Sequence, residues 1–463
     1  MKTIRIGSGA GYAGDRIEPA VELMEKGNLH YIIFECLAER TISIGQVDKA
    51  KDRTKGYNRL LDYRMRRILP LAKEKGVKVI TNMGAANPKS AAERTAELAV
   101  ELGVTGLKIA YVCGDDIYGQ LNRYRENQVL ENGRSLGELK SAPLSANAYM
   151  GAEGIVEALK QQADIVITGR VSDPALTIGP LQYEFGWSAE DNPREMGQAV
   201  LAGHLLECAG QVTGGYYADP GYKEVPNLYR LGFPLVEVSE DGTFVVTKVE
   251  GSGGLVNADT VKEQMIYEIH NPKAYLTPDA VADFSEVRVE PAGENRVLVQ
   301  GACSHGRPDT LKVSVGYMDC YIGTGEISYG GSNALARARL AAEVIEKRLE
   351  LTGAPAEELR IDYIGYNSLF RTDISQRILQ AAGAPGGAGQ SMEAGIPEVR
   401  LRVSGRFASR EDAELIQNEV EALYTNGPAG GGGASGRVEE IVSICSIFVP
   451  RDRIEAAVTY LEV

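Results

Sequence analysis

Five short apolar runs with helical patterns between them fill the first 210 residues, and this alternation limits the fold more than any other feature of the chain. The runs lie at 3–7, 31–35, 78–82, 107–112 and 164–168, and helical patterns at 18–26, 55–76, 90–103 and 151–162. The runs are continuous rather than alternating, as in parallel strands buried on both faces. Repeated strand–helix units wind in one hand and build an α/β core. The prediction is a doubly wound, largely parallel sheet over residues 1–230. A barrel is the second choice, because it needs eight strands.

Beyond residue 235 the texture changes. "DGTFVVTKVEGSGG", "SEVRVEPAGENRVLVQGACSHG" and "LKVSVGYMDCYIGTGEISYGG" read as hairpins with Asp-Gly or glycine-rich turns, and a helix follows at 333–351. Residues 231–385 are expected to form an α+β region packed on the core or completing it. The stretch 381–391, "AAGAPGGAGQS", reads as a linker. Residues 392–463 then read as a small ferredoxin-like domain. It comprises a strand in "EVRLRVSGRF", a helix capped by Ser409, a strand in "VEEIVSICSIFV", and a second helix from about Arg451.

The net charge of −14 argues against nucleic acid or an anionic membrane as partner, since both call for clustered Lys and Arg. There is no run of 18 apolar residues, and "MKTIRIGSG" enters a strand with no leader-like apolar segment. The six cysteines are scattered without a CxxC, and no two of the four histidines stand at metal-ligand spacing. These features predict a cytoplasmic protein with reduced thiols and no metal site. A homo-oligomer is expected.

The first strand runs into Gly9-x-Gly11-x-x-Gly14, and Glu35 ends the next strand about 20 residues on, which resembles a dinucleotide fingerprint. The neighbours argue otherwise. Pro19 suits a first helical turn, which starts the helix near Glu18, too late to offer its amides to a pyrophosphate. Asp15 and Glu18 would also stand where phosphates need positive potential. A nucleotide-dependent oxidoreductase is therefore a lesser alternative, and no cofactor is assigned.

Every strand end carries polar residues, and ligands of open α/β sheets bind beyond those ends. The first offers Ser8, Asp15 and Arg16; the second Glu35, Glu39 and Arg40; the third Asn82 and Asn87; the fourth Asp115 and Asp116; the fifth Thr168, Arg170 and Asp173. Singly, each has a structural reading as a cap or turn. Together they predict a site. Asp15, Glu35, Asp116 and Asp173 are the candidate catalytic carboxylates. Arg16, Arg40 and Arg170 would hold an anion, with Ser8, Asn82 and Asn87 positioning it. Carboxylates of this kind also suit Mg²⁺. There is no nucleophile elbow, Walker lysine or Cys/His pair, so proton transfer fits better than covalent catalysis. His204 and Glu207, three apart on one helix, read as a packed helix pair. Residues 270–279, with His270, Tyr275 and Asp279, read as a surface loop.

Several long stretches, "IGSGAGYAGDRIEPAVELMEKGNLHYIIFECLAERT", "TNMGAANP", "GLKIAYVCGDD", "QADIVITGRVSDPAL", "GHLLECAGQVTGGYYADP" and "NGPAGGGGASGRVEE", resemble the acyclic terpene utilisation AtuA-type family over most of the chain. The resemblance implies a place in acyl-CoA or branched and isoprenoid acid catabolism, with a small-molecule acid or a CoA thioester as substrate. It assigns no catalytic residues. The expected activity is of lyase, hydratase or isomerase type. A non-catalytic or partner-dependent subunit of an acyl-CoA pathway complex is the alternative.

Overall fold

The computed structural model describes residues 2–353, 356–370, 372–381 and 396–463. The linker assigned to 381–391 lies, from 382 on, outside them. The chain is a mixed α/β protein that divides into two compact units. One comprises residues 1–317 with 444–463, the other residues 318–443. These units do not coincide with the expected boundaries near 230 and 385.

In the first unit the expected strands form as β1 (Thr3–Ala10), β2 (Tyr31–Phe34), β3 (Lys78–Thr81), β4 (Lys108–Cys113) and, after β5 (Pro143–Ala148), β6 (Ile165–Thr168). They pair in parallel in the order β1-β2-β3-β6-β4. The hairpin β7 (Pro234–Ser239) and β8 (Phe244–Lys248) adds antiparallel beyond β1, and β11 (Arg288–Gly293) and β12 (Arg296–Gln300) continue that edge. The sheet thus has ten strands, counting β18 (Ala457–Glu462) on β4. The helix expected from Arg451 is instead one short turn, Arg451–Arg453, followed by β18. "AVTYLE" alternates burial along the strand, and the open edge of β4 supplies the partner that local propensity does not register.

Helices cover both faces of the sheet. On one face are α1 (Glu18–Lys26), α3 (Leu61–Lys75) and α4 (Pro88–Glu101), and α2 (Glu39–Lys51) lies between α1 and α3 in the chain. On the other are α5 (Glu153–Lys160), α6 (Ala175–Phe185), α7 (Pro193–Glu207) and α8 (Ala258–Ile266). Spacing explains α3: Leu61, Met65, Ile68, Leu69 and Ala72 make one buried stripe, and Gly76 stops it at φ 67°. The pattern at 55–76 is therefore a loop and then a helix. The helix α2 went unrecognised because its buried face is small, Ile42, Ser43 and Gly45. A further small sheet joins β9 (Tyr275–Leu276), β10 (Val281–Asp283) and β13 (Cys303–Ser304).

The second unit is entered inside β14 (Thr310–Gly330) and left inside β17 (Gly431–Pro450). Between them come α9 (Ala334–Thr352), β15 (Glu358–Ile364), α10 (Thr372–Ala381), β16 (Glu398–Phe407) and α11 (Arg410–Asn426). Its strands lie in the order β15-β16-β14-β17, and β14 also pairs with β5 through Val313–Tyr317 in the first unit. The Ser409 hydroxyl accepts from the Asp412 amide at 3.1 Å, which caps α11 as expected. Among the described residues no helix is long and apolar enough to cross a membrane.

Candidate functional site

Beyond the carboxyl ends of β1, β2 and β6, bordered by the end of α7, lies a cavity of about 790 Å³. Its walls include Asp15 and Arg16 after β1, Glu35 to Ala38 after β2, Asp173 after β6, and Glu207 and Cys208 at the end of α7.

The β1 loop reaches that wall through its glycines. A Cβ on Gly11 would stand 2.5 Å from the Cys208 carbonyl carbon, and one on Gly9 2.5 Å from the Phe34 ring. The glycines therefore serve close packing. Asp15 Oδ2 accepts from the Gly11 amide at 2.9 Å and Oδ1 from the Arg16 amide at 2.8 Å. The helix α1 begins at Glu18. A side-chain carboxylate thus fills the loop where a pyrophosphate would need free amides, and the loop does not fit a dinucleotide.

Glu35 is held from below. Asn82, fully buried, donates to Glu35 Oε1 at 3.0 Å and accepts from the Cys36 amide at 2.7 Å, and the Leu37 amide also donates to Glu35 Oε1 at 2.8 Å. Burial, and then the negative charge of Asp173, push the Glu35 carboxyl well above the usual carboxylate range.

Arg170 ties the loops together. Its Nη1 donates to the Leu37 carbonyl at 2.7 Å and to Asp173 Oδ1 at 2.8 Å, Nη2 lies 3.5 Å from Glu39, and the guanidinium stacks 4.4 Å from the Tyr149 ring centre. Although burial opposes its charge, Glu39 is held down to about 2 by Arg170 and Lys312. The Arg170 head group is therefore engaged with protein, and does not stand free for the anion expected from the sequence.

At the far wall Glu207 Oε1 meets His204 Nδ1 at 2.8 Å, both residues buried. Glu207 Oε2 and His204 Nε2 have no hydrogen-bond partner among the described residues. Burial pushes Glu207 up to about 7, opposed by His204. Burial also works against a charged His204, yet the Glu207 carboxylate raises it above its ordinary value. Both cavity thiols, Cys36 and Cys208, are pushed up by burial, which leaves them poor nucleophiles. Two non-glycine residues of the wall, Tyr216 at φ 61° and Glu268 at φ 60°, and Ala209 at φ 42° behind Cys208, hold left-handed backbone. Such strain gathers at functional sites.

The structure brings Asp15, Arg16, Glu35 and Asp173 to one cavity, with Asn82 and Arg170 behind them. Other candidates stand elsewhere. Asp116 takes bonds from Gln46 at 3.0 Å and the Tyr118 amide at 3.1 Å, away from the cavity wall. Its neighbour Asp115 is the buried one, pushed up to about 6 by burial and accepting from Asn147 at 2.8 Å. Arg40 is exposed on the first turn of α2, outside the wall. Asn87 caps α4 and pins the loop between α2 and α3 by donating to the Arg53 and Lys55 carbonyls. Ser8 is buried within β1, its hydroxyl unpartnered among the described residues. Sequence reasoning underweighted Glu207 and missed Tyr149. For Glu207 a signal existed: the helical stretch 196–207, "MGQAVLAGHLLE", is apolar on every face and has His204 and Glu207 as its ionisable groups.

An apolar annex of about 450 Å³ opens from the same loops, sharing Ala13, Cys36, Leu37 and Thr41 with the cavity and lined further by Ile44, Tyr57 and Leu60. The model of the family described as "Acyclic terpene utilisation family protein AtuA" matches residues 4–460, and the chain belongs to that family. No curated protein and no solved structure matches it.

Proposed function

We propose that this member of the AtuA family is an enzyme that moves protons on an unsaturated, branched acid or its CoA thioester. The reaction would be an isomerisation, hydration or dehydration. The observation that carries the reading is the pair Glu35 and Glu207 lining one cavity, both carboxyls raised by burial, with Glu207 paired to His204. Two raised carboxyls in different surroundings on one cavity can divide acid and base roles. Glu35, pushed well above the usual carboxylate range by burial and by Asp173, would serve as acid. Glu207, near 7 and oriented by His204, serves as base. In an isomerisation Glu207 takes a proton from the carbon beside the carbonyl. Glu35 returns one at the far end of the allylic system, and solvent resets both.

The supporting parts follow from the same geometry. Asp173, anchored by Arg170, raises both carboxyls through its charge. Arg16 is the cation on the cavity wall and would meet the acid or thioester end. The annex beside Ile44, Tyr57 and Leu60 would take a hydrocarbon chain, in keeping with the family's description. We read the second unit, residues 318–443 rather than the expected 392–463, as ferredoxin-like, because apart from α10 it runs strand–helix–strand–strand–helix–strand. Six free cysteines support a reducing compartment such as the cytoplasm.

The test is proton exchange. The protein is incubated in D₂O with branched 2-enoyl and 3-enoyl thioesters of CoA, and the products are read by mass spectrometry. Deuterium incorporation that Glu207→Gln and Glu35→Gln both abolish supports the assignment. Full incorporation in both variants sinks it, as does its absence with every thioester that the wild type binds.

A further inference from the structure

Apart from the cavity, a second cluster of chemically able groups sits on the small sheet of β9, β10 and β13. In the antiparallel pair β10 and β13, Asp283 stands opposite Cys303. His305 follows two residues later and continues the pairing, its amide donating to the Val281 carbonyl at 2.9 Å. Alternate residues of a strand share a face, so Cys303 and His305 project on the side where Asp283 projects from its partner strand. One donor atom from each lies within 4.8 Å of the others. Among the described residues this is the one group of three His, Cys, Asp or Glu donors so closely gathered.

We propose that Asp283, Cys303 and His305 form a three-ligand site for a zinc-like divalent cation, with its fourth position open to solvent. The chemistry of the set is that of zinc: one thiolate, one imidazole and one carboxylate, with two negative charges to balance the ion. The spacing agrees. Oxygen and nitrogen ligands about 2.0–2.1 Å from a tetrahedral ion stand about 3.4 Å apart, and Asp283 Oδ2 and His305 Nε2 are 3.4 Å apart. The other Asp283 oxygen accepts from the Ser285 amide at 2.8 Å, which holds the carboxylate in place. His305 is exposed, which gives the ion an entry path. The opposite side of β10 is core: Ala282 and Phe284 are buried, and the Phe284 ring lies 6.2 Å from the His204 ring. An ion here would clip together the strands that back His204. The sequence shows the signal only as Cys303-x-His305, because the third ligand comes from 20 residues upstream.

The full-length protein, stripped with a chelator and dialysed, is titrated with Co²⁺. One equivalent should produce visible tetrahedral bands and a thiolate-to-cobalt charge-transfer absorption, both removed by Zn²⁺. Cys303→Ser should abolish the charge-transfer band. His305→Asn, a change at an exposed side chain that spares the fold, should weaken binding at least 10-fold. Zn²⁺ should also raise the melting temperature of the wild type and not of His305→Asn. The proposal is overturned if Co²⁺ gives no thiolate band, if that band survives in Cys303→Ser, or if His305→Asn binds as tightly as the wild type. None of these readouts depends on the reaction proposed for the cavity.

Discussion

Asp15 Oδ2 accepts a hydrogen bond from the Gly11 amide at 2.9 Å, so the glycine loop after β1 carries its own anion. The loop must also lie against the end of α7, where a Cβ on Gly11 would come within 2.5 Å of the Cys208 backbone. Gly11→Ala is expected to cost about 1–3 kcal/mol, the usual range for overpacking, measured by urea unfolding. A cost near zero would show that the loop and α7 are not in contact. Nicotinamide dinucleotides at millimolar concentration should leave the melting temperature unchanged.

The buried carboxyls set a pH dependence whose sign is fixed. Folding raises Glu207 to about 7 and Asp115 to about 6, from ordinary values near 4, and raises Glu35 as well. Between about pH 4.5 and 7 the folded protein therefore binds more protons than the unfolded chain, and stability falls as pH rises. His204, also raised, adds stability that is present in acid and lost as pH climbs through its folded value. The melting temperature should drop from pH 5 to pH 8, and Glu207→Gln should flatten the slope. A melting temperature that rises over this window would contradict the burial of these groups.

Glu39 acts with the opposite sign. Arg170 and Lys312 hold it to about 2, so its contribution is complete above about pH 4.5 and is lost as pH falls toward 2. Arg170→Met leaves Glu39 and Asp173 without their buried partner. Removing one member of a buried charge pair typically costs about 3–5 kcal/mol. Chemical denaturation of the variant should show a loss of that order, and a loss below about 1 kcal/mol would mean the guanidinium is not the tie between the two loops.

Residues read from the sequence as site residues but placed off the cavity wall should behave as bystanders. Asp116→Asn and Arg40→Ala are expected to keep proton exchange within about twofold of wild type. Glu207→Gln should lose about 10²–10⁴-fold, the usual worth of a general acid or base. Deuterium-exchange rates on a common thioester decide it, and equal losses in Asp116→Asn and Glu207→Gln would move the active centre to β4.

Part of the candidate cavity's lining was legible in the chain because strand ends are local features. The run 31–35 ends in Glu35 and the run 164–168 leads into Arg170 and Asp173, and a parallel sheet gathers such ends along one edge. The start of α1 at Glu18 was legible from Pro19 for the same reason. Which strand ends share a cavity was not legible. The order β1-β2-β3-β6-β4 sets Asp173 near Glu35 and leaves Asp116, beyond the end of β4, bonded to Gln46 instead.

The sequence by itself determined the alternation of elements, the glycine turn and the family, since each rests on residues close together in the chain. Only the tertiary structure decided the roles. Arg170 became a tie between loops because its partners Leu37 and Glu39 come from another strand end. Glu207 became a raised carboxyl because α7 is buried against the β1 loop. Asp283 met Cys303 and His305 because antiparallel pairing brought β10 beside β13. A residue's charge state and engagement depend on desolvation and on neighbours remote in sequence, and those exist only once the sheet has assembled.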